Sequence, residues 1–197
     1  PGVLAGVPWA MLPGMHGAPF TVATSASRWA EVRTRRVTGR RPERIGFATG
    51  PRVPRAGEEV QRARAAWATT DAATPTLLGG EATVSAVTEL AGASDLLHIA
   101  AHGRHSADNP LFSGFELADG TLFGYDVDLI PTAPETVILS ACELGRSAVR
   151  WGEEALGMTR VWLHAGTRCV IAAPVTVPDD VACELLATVH GHLADGM

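Results

Sequence analysis

His102 and Cys142 are the two residues whose types and surroundings suit nucleophilic chemistry. Each follows a nearly unbroken apolar run: Asp95-Leu96-Leu97-His98-Ile99-Ala100-Ala101 before the His, and Thr136-Val137-Ile138-Leu139-Ser140-Ala141 before the Cys. A free thiol titrates near ~8.5, so only a few per cent is thiolate at neutral pH. A nearby imidazole can take the thiol proton, pair with the thiolate, and later protonate a leaving amine. Gly103, directly after His102, lets the backbone approach a substrate closely. Its N–H and that of Cys142 are the expected oxyanion hole.

The other candidates read as structural. By alternation His98 shares a strand face with His102, and it is expected to be a buried, hydrogen-bonded histidine. His105 falls in a polar loop. His98, His102 and His105 have no H-E-x-x-H spacing, so no metal is expected. Cys169 lies in an apolar strand and Cys183 in a helix, and both are expected in the core. His164, His190 and His192 read as unremarkable helix-face residues. The three cysteines include no C-x-x-C pair, which argues against a disulfide framework or a zinc knuckle and for a reducing cytoplasm.

Apolar runs that continuous are how strands buried on both faces read. Further short strands are expected at 44–48, 75–78 and 168–173, with helices at 58–68, 83–91, 153–165 and 179–193 between and after them. Acidic residues open several of these helices and glycines close them, as the helix dipole and the left-handed C-cap favour. Strands alternating with helices imply βαβ units: an α/β fold with a mostly parallel sheet and helices on both faces. In such sheets ligands bind beyond the carboxyl ends of the strands, where His102 and Cys142 stand. Residues 3–12 and 19–24 are expected to form a hairpin, and residues 29–41 to begin as a helix.

Composition sets the outer bounds. The chain has 197 residues, 46% hydrophobic and 19% charged. That is below the usual charged share of about 25% and enough to bury a core, which excludes disorder for most of it. No apolar run approaches the ~18 residues of a membrane span. The net charge of −5 argues against a dedicated nucleic-acid binder. Seven arginines crowd Arg28 to Arg44, but no aromatic platform interleaves them, and a solvated segment is expected. Neither G-x-G-x-x-G nor G-x-x-x-x-G-K follows a strand, so a nucleotide site is not indicated. The chain opens on Pro1 and stops just after a helical run, and it reads as a fragment of a longer protein.

The two strand-end motifs, Leu97 to Gly103 and Val137 to Cys142, resemble those of cysteine peptidases of the caspase-like clan (clan CD). Within it the chain resembles the CHAT domain through Asp108 to Gly114, Leu117 to Gly120, Leu139 to Gly145, Gly152 to Gly157 and the turn from Pro174 to Asp180. The similarity is strongest from residue 80 onward. It implies one caspase-like domain over 1–197, a three-layer αβα sandwich, with 1–79 the less defined N-terminal portion and 80–197 the catalytic core. It further implies His102 as general base, Cys142 as nucleophile, a protein or peptide substrate, and no cofactor. A repeat or sensor region preceding the domain, and a role in bacterial signalling, defence or cell death, are also implied. Related proteases that cut after Arg or Lys hold an acid in the S1 pocket, at a place comparable to Asp179. Helix capping by Asp179 or Asp180 is the competing expectation there. A catalytically inactive caspase-like scaffold is the alternative to an enzyme.

Overall fold

The computed structural model describes residues 12–15, 26, 27, 30, 41–104, 106, 109–140, 153–173 and 177–196. The expected N-terminal hairpin and the helix start at 29–41 fall almost entirely outside these, as do His105 and Cys142. Residues 41–197 make up one compact unit, and every element below belongs to it.

Among the described residues, five short parallel strands build the central sheet: β1 (Ile45–Thr49), β2 (Thr76–Leu77), β3 (Leu96–Ala100), β7 (Thr136–Ser140) and β8 (Cys169–Ala172). They stand in the order β2-β1-β3-β7-β8. The apolar runs at 95–101 and 136–141 thus become neighbouring inner strands. Every residue of β1 and β3 is buried, which is why neither shows alternation in sequence.

Helices cover both faces. On one face α1 (Ala56–Ala65) and α5 (Asp179–Ala194) close a core around Ile45, Phe47, Val60, Trp67, Leu96, Ile138 and Leu186. On the other, α2 (Val84–Gly92) and α4 (Glu153–Ala165) pack Val87, Leu90, Val161 and Trp162 onto Leu97, Ile99, Val137 and Leu139. Odd and even positions of each central strand feed opposite cores, as the strand period requires. The expected three-layer α/β sandwich is the observed one.

A second sheet sits in the 103–123 stretch. β4 (Gly103–Arg104), β5 (Gly114–Glu116) and β6 (Thr121–Phe123) pair antiparallel, and a short helix, α3 (Gly124–Val127), follows. A Cβ at position 114 would collide with the Leu122 carbonyl oxygen, so only glycine lets β5 and β6 approach this closely. The turn after β5 also has work elsewhere: Asp119 Oδ1 accepts from the Val84 N–H, 2.8 Å away, at the start of α2. The Asn-Pro-Leu-Phe-Ser-Gly stretch is likewise structural, with Asn109 Oδ1 accepting from the Leu111 N–H and Ser113 Oγ from the Ser106 N–H.

Candidate active site at the carboxyl end of the sheet

β3 is central, and the chain leaves it at Ala100 to reach His102 within two residues. Strand order reverses between β1 and β3, because β1 leads outward to β2 before the chain returns to the other side. Loops leaving such a pair diverge and open a crevice. The loop leaving β1 is held at Gly50, whose N–H donates to the Ala100 carbonyl at 2.9 Å. A Cβ there would meet the Glu116 carbonyl oxygen, and the Ala101 Cβ at 2.6 Å. Glycine is therefore what lets the end of β1 lie against the start of the His102 loop.

Two residues on, Arg52 has φ 59°, a left-handed conformation uncommon outside glycine. Its carbonyl oxygen lies 3.0 Å from His102 Nε2. A carbonyl only accepts, so Nε2 carries the proton and Nδ1 of the neutral ring is left as an acceptor. The Arg52 guanidinium pairs with Glu116 at 2.8 Å, on the strand whose Glu116 N–H donates to the His102 carbonyl at 2.9 Å. His102 is thus held on its ring and on its backbone. The bond from Glu116 to His102 makes Gly103 and Phe115 a non-hydrogen-bonded pair, so the Gly103 N–H is not spent on the β4–β5 ladder.

Beneath the strand ends, on the α1–α5 face, lies a buried polar chain. The Trp67 indole N–H donates to His190 Nδ1 at 2.9 Å. His190 Nε2 lies 3.0 Å from His98 Nδ1, and His98 Nε2 lies 2.9 Å from Glu59 Oε1. Ser140 Oγ donates to Glu59 Oε2 at 3.0 Å. An indole can only donate, and this fixes both tautomers: His190 donates to His98, and His98 to Glu59. Glu59 is 5% exposed, while His98 and His190 are fully buried. Burial, reinforced by the neighbouring His98 ring, pushes His190 down to about 3, so it stays neutral.

His98 is the buried, satisfied histidine that its strand position predicts. His190 corrects the sequence reading: it is an inner residue of α5, not an unremarkable face residue. The signal was present, since His190 follows Cys183 and Leu186 on the buried stripe of that helix. Glu59 went unnoticed for the mirror-image reason. An acid in a first turn suggests a dipole partner, yet it sits beside Val60 on the buried side of α1. Arg52 carried no signal, because nothing in Pro51-Arg52-Val53 demands a left-handed residue.

Of the cysteines, Cys183 is buried as expected. Cys169 corrects the expectation of a core thiol: it is exposed, at the first position of β8, the outermost strand on that side of the sheet among the described residues. Burial of the sulfur nonetheless pushes both thiols up. Asp179 and Asp180 form the first turn of α5, whose N-cap is Pro178. Pro178 makes no side-chain cap, but Asp180 Oδ1 accepts from the Val181 N–H at 3.0 Å in the first turn, and both acids suit the helix dipole. His164 and His192 are exposed, in keeping with their sequence reading.

A parallel five-stranded sheet between two helical layers, with a His-Gly at the carboxyl end of its central strand, defines a caspase-like α/β domain. All 197 residues match the family model of the CHAT domain, and the chain belongs to that family, a caspase-like protease family. No curated protein matches the chain. Among the described residues no helix is long and apolar enough to cross a membrane.

Proposed function

We propose that this chain is a cysteine endopeptidase that cleaves protein substrates through His102 and Cys142. The observation that carries this reading is the bond from His102 Nε2–H to the Arg52 carbonyl. It leaves Nδ1 free to take a proton, in the crevice where a parallel sheet binds its ligands. The strand register supports the partner. β3 and β7 pair Leu96 with Thr136 through Ala100 with Ser140, a constant offset of 40, and that offset carried two residues further matches 102 with 142.

In the proposed reaction His102 Nδ1 accepts the Cys142 thiol proton, and the thiolate attacks the scissile carbonyl carbon. The Gly103 and Cys142 N–H groups bond the resulting oxyanion. Collapse breaks the C–N bond, and the imidazolium returns its proton to the leaving amine. Water, deprotonated by the same imidazole, then hydrolyses the acyl-enzyme. Asp179 is our proposed carboxylate for a basic P1 side chain. We place the reaction in a reducing cytoplasm, in keeping with the free thiols Cys169 and Cys183, and within regulated bacterial signalling, defence or cell death, as the family resemblance implies.

A peptide-library cleavage profile tests this, with Cys142→Ala and His102→Ala as controls. Cleavage by the native chain that both substitutions abolish is the expected result. Full cleavage by both variants, or none by the native protein, overturns the reading in favour of a caspase-like scaffold.

A further inference from the structure

We propose that Glu59 is a positioning residue for the His102–Cys142 pair, acting through Ser140 and His98. The proposal rests on the reading of those two residues as a catalytic dyad. Glu59 comes from α1, yet its two oxygens bond one side chain from each of the two strands that matter: His98 of β3 and Ser140 of β7. His98 stands four residues before His102, and Ser140 two before Cys142. The carboxylate is therefore a cross-strand clip just below the point where both chains leave the sheet. Above it, the backbone bond from the Ala101 N–H to the Ser140 carbonyl, 3.0 Å, holds the two strand ends together.

Stability alone does not account for this arrangement. A buried carboxylate with polar partners is commonly no better than well-packed apolar residues of the same volume. What it supplies is a fixed geometry, since His190 and Trp67 orient His98 from behind and leave the His98 ring one tautomer. Displacement of a catalytic group by about 1 Å can cost ~100-fold in rate, so a clip at the strand ends has a large effect to act on.

The experiment measures the rate at which iodoacetamide alkylates Cys142 between pH 5 and 9, by peptide mapping, in the native chain and in His102→Ala, Glu59→Gln and Ser140→Ala. In the native chain Cys142 should react at pH 6 about tenfold faster than Cys169, and His102→Ala should abolish that advantage. Glu59→Gln should lower the pH 6 rate about tenfold while leaving the pH 9 rate unchanged, because at pH 9 most of an ordinary thiol is ionised. A merely structural role would move both rates or neither. Ser140→Ala, which leaves Glu59 bonded to His98, should move the pH 6 rate the same way by about threefold. A Glu59→Gln profile superimposable on the native one overturns the proposal and leaves the dyad standing. If Glu59→Gln fails to fold, an unshifted Ser140→Ala profile overturns it instead. No pH 6 advantage in the native chain is the separate failure of the dyad reading, and the positioning role falls with it.

Discussion

The carbonyl oxygen of Arg52 lies 3.0 Å from Nε2 of His102, presented by a residue in the left-handed region. Two groups of Arg52 thus act in opposite ways: a carbonyl that orients the imidazole, and an exposed side chain that only pairs with Glu116. Arg52→Gly keeps the backbone conformation, removes about 1 kcal/mol of strain, and loses an exposed ion pair worth at most about as much. Its melting temperature and cleavage rate should stay close to native. Proline cannot adopt φ 59°, so Arg52→Pro should withdraw the carbonyl and reduce cleavage about 100-fold. Equal activity of the two variants would sink the argument.

The same bond makes a spectroscopic prediction. Nitrogen-15 shifts of the imidazole should report the Nε2–H tautomer for His102 at neutral pH, and the same tautomer for the two buried rings. His190 should carry its proton on Nε2, bonded to His98, and His98 should carry its own on Nε2, bonded to Glu59. An Nδ1–H signal from His98 would contradict the direction of the whole chain.

Acid should destabilise the fold through His190. Its folded value is pushed down to about 3, whereas an unfolded histidine titrates near ~6.5. Between those values the unfolded chain binds the proton and the folded chain does not. The contribution is therefore fully favourable above ~6.5 and falls toward about 3, by at most ~1.4 kcal/mol per pH unit. His190→Gln can still accept from Trp67 and donate to His98. It should cost ~1–2 kcal/mol at neutral pH but flatten the acid limb in urea titrations between pH 6.5 and 4. A parallel acid limb in the variant would exclude His190 as its source.

The long apolar strands and the helices between them were readable because burial on both faces leaves an unbroken apolar run. The β4–β5–β6 sheet was not, since its strands have only two or three residues and no period emerges over so few. His102 and Gly103 were legible from their place after a buried strand. Glu59 and His190 were not, because a polar residue on an apolar stripe takes its meaning from a partner far away in sequence. Sequence numbering separates Trp67 from His190 by 123 residues.

Gly50 offers a test of the loop packing. A side chain there must displace the Glu116 carbonyl or the Ala101 methyl, 2.6 Å from the new Cβ. Gly50→Ala should cost roughly 1–3 kcal/mol, read as a lower urea midpoint, and should reduce cleavage more than an equally destabilising change in α2. Gly57 has open space around it, so Gly57→Ala should be tolerated. A Gly50→Ala protein as stable as native would refute the close approach.

Asp179 separates pocket from helix end. If it receives a basic P1 side chain, Asp179→Asn should lower kcat/KM for Arg-P1 peptides about tenfold or more. A role confined to the α5 dipole predicts only ~0.3–1 kcal/mol of stability lost and unchanged selectivity.

The hydrogen bonds beneath the strand ends also carry a timetable. Glu59 reaches His98 across 39 residues of chain and Ser140 across 81, so the clip closes once β7 has formed. His98 waits for His190 across 92 residues, and Trp67 across 123. Until α5 docks, the Trp67 indole and His98 Nδ1 lack these partners. Among the described helices, α5 thus completes and dehydrates a polar network that Glu59 of α1 begins.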